Sequence, residues 1–175
     1  MKEMARYGFI LALICVIAAG LLAAVNALTA PKILAQARLE EQLALEEVMP
    51  AAAKFMAVPD ADQQTLYYKA FDSQDKLIGF VFKASGKGYS SVIETLVGIF
   101  LDDQISAIKV ISQTETPGLG VRVTEKKFTG QFSNHNCLDL SGVQAITGAT
   151  VSSRAIMNSI MKKAKELKEL IKNEK

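Results

Sequence analysis

Residues 7–28, YGFILALICVIAAGLLAAVNAL, carry no charge, and Asn26 is their one strongly polar side chain. A helix of about 22 residues, rising about 1.5 Å per residue, covers about 33 Å, enough to cross the hydrocarbon core of a bilayer. A cleaved signal sequence has a shorter apolar core of ~7–15 residues and ends at a small-x-small site. Ala24-Val25-Asn26 and Ala27-Leu28-Thr29 offer such a site, but the length of the run favours an uncleaved single-pass anchor. Lys2 and Arg6 precede the run while Lys32 and Arg38 follow it. The bias is modest and points to a cytoplasmic N-terminus, with the rest of the chain outside the cytoplasm. Ala18, Ala19, Gly20, Ala23, Ala24 and Ala27 form a small-residue stripe suited to close helix packing in lipid.

The 175 residues leave room for one domain beyond this anchor. A net charge of +2, with no Arg/Lys stripe interleaved with aromatics, excludes a nucleic-acid binder. The two cysteines, Cys15 and Cys137, fall in the apolar run and in the distal domain, so no disulfide framework and no thiolate metal site is expected. One histidine, His135, argues against a His-based metal cluster or a His-driven triad. It reads as a surface loop residue.

Beyond the anchor, Thr29 and Pro31 supply an N-cap and an early-helix proline for KILAQARLEEQLALEEV (32–48), whose apolar positions suit a helix ended by Pro50, either a continuation of the anchor helix or a second helix lying on the domain. Residues 49–64 show little pattern and read as a connector. The period then changes to two. TLYYKAF (65–71) and LIGFVFKA (77–84) form one hairpin, and SVIETLVGIFL (91–101) and ISAIKVIS (105–112) a second. Between them SGKGY carries Tyr89, which is read as packing on the sheet in preference to binding a ligand. TEKKFTGQF (124–132) places Phe128 and Phe132 on one face of a short helix, and CLDL (137–140) reads as one more short strand. The pattern is α+β: one N-terminal transmembrane helix, then a single domain with an antiparallel sheet and flanking helices. Its boundaries are an anchor segment 1–28, a helical connector 29–64 and a domain 65–175.

Two loops carry chemistry. In 146–153, ITGATVSS, the small residues Gly148 and Ala149 lie between Thr147 and Thr150, and Ser152 and Ser153 lead into the apolar-periodic run Ala155, Ile156, Ile160, Ala164, Leu167. Such a loop feeds a helix N-terminus whose free N–H groups attract anions such as phosphate. It equally suits an ordinary strand-to-helix turn capped by serine. In 113–121, QTETPGLGV, a proline and two glycines stiffen a loop leaving a strand end, either a ligand edge or a wide turn.

Taken together, Thr114-Glu115-Thr116-Pro117-Gly118-Leu119-Gly120 followed by Thr147-Gly148-Ala149-Thr150, behind one anchor, resembles the FMN-binding G subunit of the Rnf electron-transport complex. That subunit is related to the C subunit of the sodium-translocating NADH:quinone reductase. The resemblance covers nearly the whole chain. It implies FMN held covalently by a phosphodiester from its phosphate to the last threonine of the motif, Thr150, made by a separate flavin transferase. A threonine hydroxyl is a poor nucleophile without a base, and no His or Lys adjoins Thr150. By the same resemblance Thr147, Gly148, Ala149, Ser152 and Ser153 surround the phosphodiester, and Glu115, Thr116, Gly118, Leu119 and Gly120 flank the isoalloxazine ring. Gln144 stands where the family usually has Asp, a departure read as tolerated. The implied role is electron relay inside an ion-pumping complex of the ferredoxin:NAD type, on the extracytoplasmic side. It has no catalytic residues and no metal of its own, and its partners are the other subunits, the transferase and the bilayer. A stand-alone membrane-anchored flavin module, serving as sensor or electron sink, is the competing reading, and an anchor without cofactor a third.

Overall fold

The computed structural model describes residues 2–59 and 65–173. The chain divides into two units between Gln42 and Leu43. Helix α1, Lys2–Val48, is continuous over 47 residues, about 70 Å at 1.5 Å per residue. Thr29 is therefore not an N-cap. It lies inside the helix, and its Oγ1 donates to the Val25 carbonyl at 2.9 Å. Pro31 is also interior. Threonine back-bonding is one of the ways in which apolar helices accommodate an interior proline. From Tyr7 to Leu28 the large apolar side chains are exposed, and Arg6–Val48 is long and apolar enough to cross a membrane.

The second unit is built on five antiparallel strands in the order β1-β2-β3-β4-β5. These are β1 Lys54–Pro59, β2 Thr65–Phe71, β3 Leu77–Lys87, β4 Val92–Phe100 and β5 Ile105–Ser112. Four of them follow the period-two runs of the sequence. β1 departs from the expected patternless connector: it pairs Lys54 with Phe71 through Val58 with Tyr67. Its reason for escaping notice is physical. β1 is an edge strand with no fully buried side chain, so no burial alternation was imposed on its sequence, and Pro59 ends it where an edge tolerates proline. Residues 60–64 of the expected connector lie outside the described residues.

Side-chain alternation sends each strand's apolar residues to two faces. On one face Phe80, Phe82, Ala84, Ile93, Val97 and Ile99 meet helix α3, Thr150–Asn173, through its stripe Ile156, Ile160, Ala164 and Leu167. On the other, Ala70, Val81 and Leu96 meet Ala44, Leu45 and Val48 from the end of α1 and Met49 just after it. Between β5 and α3 the chain makes a 3-10 turn Gly120–Thr124, the one-turn helix α2 Lys126–Thr129, and a second 3-10 turn Gly130–Phe132. Phe128 and Phe132, expected on one helix, are fully buried in an edge-to-face pair with centroids 5.2 Å apart. Cys137-Leu138-Asp139-Leu140 is not a strand. The only pairing there is an isolated bridge between Gln104 and Asn136, and Cys137 follows it in a turn. Burial, with Asp103 nearby, pushes the Cys137 thiol up to about 11, which leaves it inert.

Glycine sets the helix-to-sheet distance on both faces. A Cβ at Gly86 would stand 2.5 Å from the Ala155 carbonyl oxygen of α3, and one at Gly98 would stand 2.4 Å from the Val48 carbonyl oxygen of α1. Both obstacles are backbone, which cannot swing aside. Gly98→Ala is expected to cost about 1–3 kcal/mol, the usual penalty of overpacking. Gly130→Ala, with nothing within 4 Å, is expected to leave stability unchanged. Thermal unfolding of the two full-length variants in detergent checks this.

Candidate functional site

The loop after β5 is organised by one carboxylate. Glu115 is 5% exposed and accepts five hydrogen bonds from two other segments. The backbone N–H groups of Tyr89, Ser90 and Ser91, in the turn between β3 and β4, donate at 3.2, 3.0 and 2.9 Å. The Ser91 hydroxyl adds one at 3.1 Å, and the Ser152 hydroxyl, in the first turn of α3, donates at 2.7 Å. Burial raises the Glu115 carboxyl, but the bonds from Ser152, Ser91 and Ser90 outweigh it and bring it down to about 2. Two buried glycines clear the space. A Cβ at Gly88 would lie 2.6 Å from Glu115 Oε1, and one at Gly120 would lie 2.7 Å from Glu115 Oε2.

The second loop turns on Gly148, whose φ of +85° lies in the left-handed region that favours glycine. The Ser153 hydroxyl accepts from the Ile146 N–H at 3.1 Å and donates to the Ala149 carbonyl at 2.9 Å, bracing that turn. The serines therefore do not cap α3. The helix begins at Thr150, which leaves Ser152 and Ser153 inside its first turn, one bound to Glu115 and the other to the turn. The first i→i−4 bond runs from Ser153 N–H to the Ala149 carbonyl at 2.9 Å, so the amides of Thr150, Val151 and Ser152 precede it and face the helix's open end.

The two loops enclose a pocket of about 380 Å³. Eight of the expected residues line it: Glu115, Thr116, Leu119 and Gly120 from the first loop, and Gly148, Ala149, Thr150 and Ser152 from the second. Thr150 is exposed. Gly118 does not line the pocket. It forms the adjacent turn at φ +76°. Thr147 opens instead on a neighbouring hollow of about 220 Å³ with Arg122, Lys127 and Gln144, and Ser153 is buried behind the turn.

Sequence reasoning missed two lining residues, Tyr89 and Val151. Tyr89 does not pack on the sheet and is 76% exposed. The Gly88 turn was the available signal, since a buried glycine held against Glu115 leaves the next side chain pointing outward. Gln144 is fixed by its backbone. Its N–H donates to Gln131 Oε1 at 2.9 Å and its carbonyl accepts from Gln131 Nε2 at 3.4 Å. A second cavity of about 380 Å³ is walled by Phe80, Ile99, Phe100, Leu101, Leu167 and Ile171, with the ion pair of Lys168 and Asp103 at its edge. It offers neither a glycine loop nor an open hydroxyl, so the Glu115 pocket is the better site despite equal size.

Comparison with known proteins matches two stretches of the chain. Residues 1–48 match the RnfG N-terminal region and residues 88–165 match the FMN-binding domain. The G subunit of the ion-translocating oxidoreductase complex of Methanosarcina acetivorans is 32% identical over 172 residues, covering 91% of this chain and 92% of that protein. The G subunit of the Na⁺-translocating ferredoxin:NAD⁺ oxidoreductase complex of Acetobacterium woodii is 30% identical, covering 91% and 89%. Among solved structures, Shewanella oneidensis NqrC aligns with a TM-score of 0.50 at 22% identity, over 65% of this chain and 66% of that one; this likeness concerns the fold.

Because the Glu115 carboxyl titrates lower folded than at its ordinary 4.5, its contribution is fully present above pH 4.5 and is lost as pH falls toward 2. Glu115→Gln is expected to cost about 1.5–3 kcal/mol at pH 7, the scale of hydrogen bonds to a charged group. The gap between variant and wild type should close as pH drops from 4.5 to 2. Denaturant unfolding across that range measures both.

Proposed function

The chain belongs to the G subunits of Rnf-type ion-translocating oxidoreductase complexes, and from that membership we propose that it carries FMN on Thr150 and relays electrons within such a complex. The linkage is a phosphodiester between the flavin phosphate and the Thr150 oxygen. One observation carries this reading: Thr150 stands exposed at the rim of the pocket, at the first residue of α3, behind a turn that Gly148 and Ala149 keep open.

The residues present fit such a group. A pocket of about 380 Å³ is of the size that takes small ligands, and its rim is mixed, with Leu119 and Val151 apolar and Thr116 and Thr150 hydroxylic. The amides of Thr150, Val151 and Ser152 and the positive end of the α3 dipole favour a phosphate anion there. Glu115 does not compete for those amides, since its partner on α3 is the Ser152 hydroxyl. Bound, FMN supplies the electron-transfer chemistry. Leu119 and Val151 keep water off its apolar part, and Glu115 keeps the three enclosing segments in register. None of the pocket residues is a His, Lys or Arg, and the oxygens of its one carboxylate, Glu115, are taken up by five hydrogen bonds, so the pocket offers no free base with which to attach the flavin itself. A separate flavin transferase supplies that step.

The run Arg6–Val48 anchors the subunit in the membrane, with Lys2 and Arg6 favouring a cytoplasmic N-terminus and an extracytoplasmic flavin domain. The electrons pass between partner subunits that couple ferredoxin and NAD, the pair named for the Acetobacterium woodii relative.

Intact mass of protein from its native host, with flavin fluorescence in a denaturing gel, tests the linkage. The expected result is an increase of one FMN less one water, lost in Thr150→Ala. An unmodified mass in native material would overturn the reading. Gln144→Asp is expected to leave flavin occupancy unchanged by the same mass measurement, because the loop is held by the Gln144 backbone and not by its side chain.

A further inference from the structure

We propose that Tyr89 covers one face of the isoalloxazine ring, stacking on it from the turn between β3 and β4; the proposal rests on the reading of Thr150 as the flavin anchor. Tyr89 is the one aromatic side chain lining the Glu115 pocket. Its backbone is fixed, since its N–H donates to Glu115 at 3.2 Å and Gly88 before it is buried against the same carboxylate. Its ring is not fixed, being 76% exposed. A large ring left in solvent on a pinned backbone, at the edge of a pocket with apolar Leu119 and Val151 exposed around it, lacks the cover that such surface normally finds.

The attachment point decides what supplies that cover. The phosphate end belongs to Thr150 on α3, and Leu119 lies against the Gly148 turn beside it, 3.5 Å from where a Cβ on Gly148 would stand. The flat, apolar end of the cofactor is what remains for Tyr89, which enters from a different segment. Aromatic faces prefer offset stacking with another π-system, and a tyrosine has only two side-chain torsions to order in doing so.

The composition makes the contact easy to read. The chain has no tryptophan and four tyrosines. Of the other three, Tyr7 is in α1, Tyr67 is buried in the core, and Tyr68 packs in the cluster on the α1 side of the sheet. A tyrosine touching a flavin quenches its emission by passing an electron to the excited ring and taking it back, with no net change in either.

The experiment is flavin fluorescence lifetime on the flavinylated full chain in detergent, each sample first weighed by intact mass. Tyr89→Leu and Tyr89→Phe are both expected to lengthen the lifetime several-fold, since neither side chain donates an electron. Only the Phe variant should keep the wild-type shape of the flavin absorption band. Tyr68→Phe is expected to change nothing. A wild-type mass without the flavin increment would remove the reading on which the proposal stands. An unchanged lifetime in Tyr89→Leu with the increment present would overturn the stacking alone and leave the ring of Tyr89 to a partner subunit. Because Tyr89 is exposed, its replacement does not threaten the fold, and the Phe variant provides a second, near-isosteric reading.

Discussion

A single buried carboxylate holds the candidate site together. Without Glu115, three backbone N–H groups of the turn between β3 and β4 and the hydroxyls of Ser91 and Ser152 would lose their acceptor, the Ser152 hydroxyl in a buried position and the others in part-buried ones. The loss costs most at Ser152, whose buried hydroxyl has no water to turn to. The arrangement explains several small residues around it. Gly88 and Gly120 are glycine because the carboxylate occupies the space a methyl would take, and Ser152 is a short donor because α3 approaches closely. Removal of the carboxylate would therefore loosen the walls of the pocket before it changed anything inside.

The same logic of close approach builds the rest of the domain. Helices cover both faces of the sheet, and each does so where a strand carries glycine: Gly86 under α3 and Gly98 under the end of α1. With apolar residues alternating to the two faces of β3 and β4, these strands are buried on both sides, which is why their sequences read as near-continuous hydrophobic runs.

What the sequence made legible follows from how strongly burial constrains each segment. β3, β4 and α3 are dense in buried positions, and β2 and β5 keep two each, so burial marks all five segments with apolar residues that can be read without a structure. β1 has no buried position, and its edge position left its pattern free. The turns from Thr124 to Phe132 looked like one helix because Phe128 and Phe132 are spaced for it. They are in fact held by their mutual edge-to-face contact across a change from α to 3-10 geometry. At the site, residue types announced a glycine-rich loop and a helix start, but not which hydroxyl meets which group. That Ser152 serves Glu115 and Ser153 serves the Gly148 turn depends on contacts across 37 and 7 positions of chain, and the longer one has no local signature. Tyr89 was misplaced for a related reason: an aromatic beside a strand usually packs on it, and only the pinned glycine before it turns the ring outward.

The reach of the Glu115 contacts also bears on the order of events in the life of the protein. Its partners lie 24 to 26 positions upstream and 37 downstream, so the pocket cannot form from any local piece of chain. Thr150, near the end of the sequence, acquires its setting only once β3, β4, β5 and α3 have come together. On the proposed reading, an enzyme that recognised the Thr150 hydroxyl in that setting would commit its flavin only to chains that have finished folding, and the hub would double as an inspection stamp for the finished domain.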